Sequence, residues 1–174
     1  PGIGSSFGLI AGYKINNKWS IETGVLSDKK KYYTKGAYFD KSNVSYLNNK
    51  ELVSVDGDCE MIEIPINARY TFSTTHKGKW TTALGTSSYF MKEEYYTYLI
   101  NVNGTNEEYN YTYYPSSKNY LAVINLTVAY EKKIGKSFSF RAEPYLKIPL
   151  TGLGTGSLPL SGAGINIGIM KSFH

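Results

Sequence analysis

The sequence contains very little of the residue types on which many common functions depend. Its one cysteine, Cys59, excludes an internal disulfide framework, and we interpret it as a small residue within a strand. Of its two histidines, His76 falls in a short turn and His174 is the last residue, and neither has the spacing of a metal site or a catalytic group. The sequence therefore predicts no enzyme, no cofactor and no metal.

Long apolar runs are missing as well. No stretch approaches the ~20 consecutive apolar residues that a membrane helix needs. Charged residues make up 19% and hydrophobic residues 41%, which excludes a disordered chain and a helical membrane protein. No signal peptide precedes the Gly/Ser-rich start at Pro1, so we interpret the chain as processed or trimmed. A length of 174 residues predicts a single domain over 1–174.

The net charge is +5, and the basic residues are spread along the sequence apart from Lys29, Lys30 and Lys31. We interpret these three as a solvated loop base or as contacts for anionic lipid head groups, and we expect no nucleic-acid partner. Tyrosine and glycine are abundant, with 17 residues of each, and together they favour strands and tight turns.

Apolar residues alternate with other residues in seven stretches, which predicts seven antiparallel strands. The clearest is the hairpin from Tyr120 to Leu150, which turns at 135–137. The other five predicted strands start at Phe7, Trp19, Ile62, Trp80 and Gly162, the second running toward Ala37 and the fourth toward Tyr98.

The connections between these stretches differ in length. Asn16 and Asn17 predict a two-residue turn, because asparagine tolerates positive φ. Long polar connections are predicted at 38–57 and 101–118, and the glycine-rich link at 151–157 is predicted to be a turn rather than a phosphate loop. Short and long connections alternate, so all short turns lie at one end, as in an outer-membrane barrel.

Alternation alone fits a membrane barrel and also a soluble sandwich or lipocalin-like barrel. The face opposite the apolar one favours the membrane, because it is mostly Gly, Ala, Ser, Thr and Asn, which suit a narrow lumen. Aliphatic residues expected to face lipid are Ile62, Ile64, Ile66, Ile124, Leu126, Val128, Ile165, Ile167 and Ile169. Pro65, opposite them, predicts a bulge or a locally open pairing.

Two sets of side chains are the candidate site residues. Mid-strand charges of both signs are predicted to pair inside the lumen, because a buried charge without a partner is costly. This lumen charge network comprises Glu22, Glu63, Arg69, Arg141, Glu143 and Lys147. Aromatic residues at strand ends predict a girdle at the membrane interface, formed by Trp19, Trp80, Tyr120, Tyr130 and Phe173.

The fold predicted from these patterns is all-β: an antiparallel up-and-down transmembrane β-barrel of about eight strands. Seven strands lie in this chain. Barrels of single bacterial chains usually have an even strand number, so one further strand is expected upstream of Pro1.

The chain resembles the outer membrane protein beta-barrel family, including the PorT-like domains common in Bacteroidota. The matching stretches are GLIAGYKINNKWSIETGVL (8–26), IEIPINARYTF (62–72), GTSSYFMKEEYYTY (85–98), YLAVINLTVAYEKKI (120–134), FSFRAEPYLKIPLTGLGTGSLPLSGAGINIGI (138–169) and the closing Phe173. The resemblance implies a barrel of about eight strands in the outer membrane of a Gram-negative bacterium, at the C-terminal end of a longer protein, and no catalytic residues. His174, beyond the terminal aromatic residue, departs from the pattern.

Two functions fit these features. The first is a non-enzymatic anchor or scaffold in the outer membrane that holds a larger envelope protein or complex. The second is a small pore or ligand-binding outer-membrane barrel, and a soluble ligand-binding barrel is a third, less favoured interpretation. A paired charge network would close a lumen of this size, so the sequence favours the anchor, with membrane lipid and other envelope subunits as partners.

Overall fold

The computed structural model describes residues 4–47, 50–102, 104–114, 117–159 and 161–173. Within these ranges the chain forms eight antiparallel strands: β1 (Gly4–Lys14), β2 (Trp19–Lys35), β3 (Glu51–Thr74), β4 (Gly78–Val102), β5 (Thr105–Tyr113), β6 (Lys118–Lys133), β7 (Phe138–Pro149) and β8 (Gly162–Lys171). All eight belong to one sheet, which curls into a half-barrel; seven follow the order β1-β2-β3-β4-β6-β7-β8, and β5 pairs with β4 beside this path. The predicted all-β, antiparallel, up-and-down fold is confirmed. Pro1 and His174 lie outside the described residues.

Three 3₁₀ helices follow β2, at Gly36–Tyr38, Lys41–Asn43 and Ser45–Leu47. Among the described residues, no helix is long and apolar enough to cross a membrane.

The connection predicted at 38–57 is present but ends before Glu51, whereas the long polar connection predicted at 101–118 is wrong. β3 begins at Glu51, eleven residues before the predicted start at Ile62, and the second connection folds into β5. Residues 51–57 and 105–113 become strands because β4 extends to Val102 and offers pairing partners on each side. The seven predicted strands pair with their predicted neighbours, and the unpredicted β5 pairs with the distal part of β4, whose first part pairs with β6.

Short connections join the strands at one end, which we call the short-turn end. The first spans 15–18 rather than two residues, and the side-chain oxygen of Asn16 accepts the backbone N–H groups of Lys18 (2.8 Å) and Trp19 (2.9 Å). The other two short turns span 75–77 and 134–137.

Pro65 opens the pairing between β2 and β3 locally, one of the two outcomes expected. The register continues from Thr23 opposite Ile66 to Leu26 opposite Glu63, but the two positions between are not paired. Proline has no N–H to donate, and its carbonyl instead accepts a hydrogen bond from Thr23 Oγ1 at 2.8 Å. The opposite side of Pro65 stays in register with Ser87 of β4.

The part of the sheet nearest the short turns has an apolar outer face. All nine aliphatic residues expected to face lipid lie exposed or half-exposed on this face; Ile165 and Ile167 are 68% and 71% exposed. Along β4, the stretch between the outward aromatic residues Trp80 and Phe90 rises ten residues, which at about 3.3 Å each and a tilt of about 40° gives roughly 25 Å. That height matches the apolar band of a transmembrane barrel. We call this part the membrane region.

Beyond Met61 of β3 and Phe90 of β4 the same strands continue as an outer region with the opposite arrangement. Its inward side chains form a buried core that includes nearly inaccessible Val55, Tyr96 and Ile100. Its outward side chains are polar, and Lys31 pairs with Asp58 at 3.0 Å. We call the buried cluster the outer core; its members are Phe39, Val44, Leu47, Leu52, Val55, Tyr96, Tyr98, Ile100 and Leu158.

β1 and β8 are the two edges of the sheet. Both run toward the short-turn end, β1 entering the turn at 15–18 and β8 ending opposite the start of β7 at Phe138. Within the described residues no register pairs β1 with β8.

Candidate functional site in the barrel interior

Strand alternation turns one set of charged side chains into the concave face of the membrane region. We call this set the central network: Glu22, Arg69, Lys79, Glu131, Arg141 and Glu143. The guanidinium of Arg141 binds Glu22 at two points (2.8 and 3.2 Å) and also donates to Glu131 Oε1 at 2.6 and 2.9 Å. It therefore joins β7 to β2, strands at opposite sides of the curled sheet.

Arg69 of β3 completes the connection. Its Nε lies 2.9 Å from Glu22 Oε2, its Nη1 donates to Thr81 Oγ1 at 2.8 Å, and its Nη2 donates to Glu143 of β7. Lys79 Nζ pairs with Glu131 Oε2 at 2.9 Å. Three cations thus face three carboxylates, and five of the six side chains are almost fully buried. Arginine suits this role because its fork binds carboxylates at two points.

A second network lies closer to the outer region. Lys147 binds Glu63 and lies 3.8 Å from Asp28 Oδ2. Ser87 Oγ donates to Glu63 at 2.5 Å, and the Asn125 amide donates to Ser87 Oγ at 2.7 Å. The six charges predicted for the lumen are therefore all on the concave face, but they divide between two networks rather than one.

Sequence reasoning missed three members of these networks. Asp28 continues the parity of Glu22 along β2, and Glu131 follows Tyr130 on the face opposite the apolar one. Lys79 precedes Trp80 in the same way. Each was detectable by extending the alternation to the strand ends.

The central network separates two cavities. The first, about 70 Å³, is lined on the second network's side by Asp28, Glu63, Glu143 and Lys147, among others. The second, about 300 Å³, lies at the short-turn end, and we call it the short-turn cavity. Its lining includes Lys14, Lys18, Thr71, Lys79, Glu131, Lys133, Lys136, Ser137, Ser139 and Ser172.

Aromatic side chains mark both ends of the membrane region. At the short-turn end Trp19 packs on Tyr70 (4.9 Å between ring centroids) and Trp80 on Tyr130 (5.0 Å). At the other end Tyr120 packs edge-on against Phe90 at 5.6 Å. Phe173 follows β8 at the short-turn end and is 83% exposed. The structure thus places four of the five predicted girdle residues at one end and Tyr120 at the other.

The link between β7 and β8 covers the interior at the outer end. Gly154 has φ +71° and begins a turn in which Ser157 N–H donates to its carbonyl at 3.1 Å. The Thr155 N–H donates to Glu94 Oε2 at 2.8 Å, and the same oxygen accepts the hydroxyl of Tyr96 at 2.5 Å. The glycine-rich link is a turn, as predicted, and its backbone holds an internal carboxylate instead of a phosphate.

The residues that could carry other chemistry lie elsewhere. Cys59 is a buried strand residue as interpreted, and burial raises the pKa of its thiol to about 12. His76 is exposed in the turn at 75–77. The lysines at 29–31 belong to β2 rather than to a loop base; Lys30 Nζ lies 4.7 Å from the ring centre of Tyr89. Among the described residues, no group of three His, Cys, Asp or Glu is placed to hold a metal ion.

A sheet with an apolar outer face, a charged and paired inner face and aromatic belts is the wall of a transmembrane β-barrel. Residues 1–148 match the family model described as outer membrane protein beta-barrel domain, and the chain belongs to this family. It is therefore an outer-membrane protein of Gram-negative bacteria. The soluble barrel, the third interpretation, does not agree with this membership or with the exposed apolar face. Searches of curated proteins and of solved structures found no match.

Proposed function

We propose that this barrel is a non-enzymatic anchor or scaffold that holds a larger envelope protein or complex at the outer membrane. The observation that carries the proposal is the central network, which joins β2, β3 and β7 across the concave face with buried ion pairs. A continuous aqueous path would have to break these pairs, and leaving one charge buried without its partner is costly. The outer core adds a buried layer of mostly apolar side chains on the outer side of these pairs.

Planar-bilayer recordings on the purified full-length protein test the proposal. We expect no single-channel conductance from the wild type, with a known porin in the same bilayer as the positive control. Heat-dependent migration on gels would verify that the reconstituted protein is folded. Reproducible conductance steps from folded wild-type protein would overturn the anchor in favour of a pore.

A small pore or ligand-binding barrel is the second candidate, and the two interior cavities favour it. Neither is large, at about 70 and 300 Å³, and the charge network lies between them. This arrangement fits the binding of a ligand at one end of the barrel better than the passage of ions or solutes through the lumen.

The more specific features of the resemblance also belong to the proposal. We take the chain to be a PorT-like barrel of the Bacteroidota type and the C-terminal part of a longer envelope protein. Its partners are then outer-membrane lipid and other envelope subunits, with no nucleic acid. Site-specific photo-cross-linking from the short-turn end in growing cells tests this, because products that contain only phospholipid would contradict a protein partner.

A further inference from the structure

Positive charge is concentrated at the short-turn end. The sequence segments 14–20, 71–80, 130–140 and 168–173 contain one acidic residue, Glu131, and the lysines Lys14, Lys18, Lys77, Lys79, Lys132, Lys133, Lys136 and Lys171. Eight lysines against one carboxylate leave +7 there, so the remaining chain, with eleven cations and thirteen carboxylates, carries −2. The positive net charge of the protein therefore comes entirely from the short-turn end.

Strand parity divides the five of these lysines that lie in strands into two sets. Lys14, Lys79 and Lys133 lie on inward positions and, with Lys18 and Lys136 of the turns, line the short-turn cavity. Lys132 and Lys171 lie on outward positions, since they share the parity of the apolar outer face. The Nζ of Lys171 lies 5.1 Å from the ring centre of Phe173. The outward lysines are placed for lipid head groups, whereas the inward ones face away from lipid.

The inward lysines have no internal counter-charge of their own. The only carboxylate of the cavity lining among the described residues is Glu131, and it is bound by Arg141 and Lys79. Lys14, Lys18, Lys133 and Lys136 form no ion pair within the described part of the chain. The rest of the lining adds hydroxyl donors such as Thr71 and Ser139. A cavity lined by ammonium and hydroxyl groups selects an anionic ligand.

The central network forms the inner wall of the cavity. This wall includes Glu131, which the central network ties to Arg141 and through it to β2. A volume of about 300 Å³ admits a few side chains and no folded domain. The four unpaired ammonium groups lie on two strand ends and two separate turns, so they match several spaced anions better than one phosphate group. An extended acidic peptide carries its carboxylates at such intervals.

We propose that the short-turn cavity binds an acidic peptide segment of a periplasmic partner protein. The short turns of outer-membrane barrels face the periplasm, so the cavity opens where such a partner would lie. This inference rests on the proposed anchor function and gives the anchored partner a site and a chemistry. The cavity holds the segment by charge, and the network behind it keeps the segment from entering further.

Fluorescence anisotropy of a short labelled peptide of alternating glutamate and serine tests the inference, with the full-length protein in zwitterionic micelles. We expect binding that weakens as salt rises, and a loss of about tenfold in affinity in the double variant Lys14→Gln/Lys133→Gln. The matched control is Lys132→Gln/Lys171→Gln, which removes the same charge from the outward face and should change the affinity less than about twofold. Heat-dependent gel migration checks that both variants are folded.

Several outcomes would overturn the inference. Equal weakening in both double variants would indicate a non-specific response to net charge. Complete displacement of the peptide by millimolar inorganic phosphate would indicate a simple anion site. Displacement by phosphatidylglycerol vesicles that depends on Lys14 and Lys133 would assign the cavity to lipid.

The failure of this inference is distinguishable from failure of the anchor function. If the protein conducts ions but still binds the peptide through Lys14 and Lys133, the peptide site is supported and the anchor function is contradicted. If the protein neither conducts ions nor binds the peptide, the anchor function is supported and the peptide site is contradicted.

Discussion

The membrane region and the outer region are built from the same strands but have opposite interiors. In β3 the outward positions change from Ile66 and Ile62 to Glu60 and Asp58, while the inward ones change from charged Arg69 and Glu63 to apolar Met61 and Cys59. The alternation runs through this boundary without interruption in β3. The position of a residue in the alternation therefore determines which face its side chain lies on. Whether that face is apolar or polar depends on whether lipid or water surrounds the strand.

The boundary coincides with an irregularity in the sheet. Between the pairs Glu60–Glu93 and Met61–Met91 the register shifts, so β4 carries one extra residue there, Lys92. Bulges bend a strand and increase its twist. The sheet thus changes course at the level where its two faces exchange their chemistry.

The largest effect should come from breaking the polar interior of the membrane region. Arg141→Ala leaves Glu22 and Glu131 with fewer cations in a buried site, and we expect a loss of about 3–5 kcal/mol in the free energy of unfolding. Urea titration of the protein in micelles, followed by tryptophan fluorescence, measures it. The exposed Lys136→Ala should lose less than about 0.5 kcal/mol. A loss below about 1 kcal/mol for Arg141→Ala would contradict a buried network.

The next effect compares outward positions of the two regions. Leu126→Arg places a charge on the lipid-facing side near mid-membrane and should cost about 2–4 kcal/mol. Asp56→Arg, outward in the outer region, should stay within about 0.5 kcal/mol of the wild type because it remains in water. Both are measured by urea titration with tryptophan fluorescence, carried out in lipid vesicles instead of micelles. Similar costs at the two positions would show that the boundary is misplaced.

A smaller effect is expected inside the outer core. Val55→Ala removes buried methyl groups, and we expect a loss of about 1–3 kcal/mol from transfer and cavity terms. Hydrogen exchange should accelerate at 51–60 and much less at 62–72, because the outer region opens separately. The control is Asp56→Ala, which changes the exposed residue next to Val55. Uniform acceleration along β3 would mean that the two regions unfold as one unit.

The effect that is absent at neutral pH, and is therefore the smallest under ordinary conditions, concerns the Cys59 thiol. Burial raises the pKa of the Cys59 thiol from its usual 9.0 to about 12, so the folded protein holds a proton that the unfolded chain has released. This contribution to stability is complete below pH 9 and is lost as the pH rises toward 12. Between these values, wild type should lose up to about 1.4 kcal/mol per pH unit more than Cys59→Ala. Parallel pH curves for the two proteins would contradict a buried thiol at this position.

The membrane region was predictable because two-residue periodicity is a local signal. Ile62, Ile64 and Ile66 alternate with Glu63 and Asn67 strongly enough to define both the strand and its faces. The same signal located the charged side chains of the interior.

The outer region could not be predicted in the same way. Residues 51–60 have acidic outward positions and small inward ones such as Val55 and Gly57, a composition that resembles a polar loop. They form a strand because β4 extends alongside them, and that partnership depends on pairing between distant parts of the chain. β5 is likewise a strand only through β4.

The sequence predicted which charged residues face the interior but not how they pair with one another. Parity identified Arg69 and Arg141 as inward, yet their division between partners depends on how far the sheet curls. The lysines at the short-turn end look scattered in the sequence, because Lys14, Lys79 and Lys133 are far apart along the chain. Their convergence becomes visible once the turns are placed side by side.

Because β1 and β8 run in the same direction, they determine whether an odd or an even number of added strands can close the sheet into an antiparallel barrel. Two edges that run the same way can join directly only as a parallel pair, which an up-and-down barrel does not contain. An antiparallel seam between them requires an odd number of added strands, and the smallest such number is one, running from the short-turn end toward the loops. A ring completed by one such strand would have eight members, an even number, and the β2–β7 ion pairs would lie behind its seam.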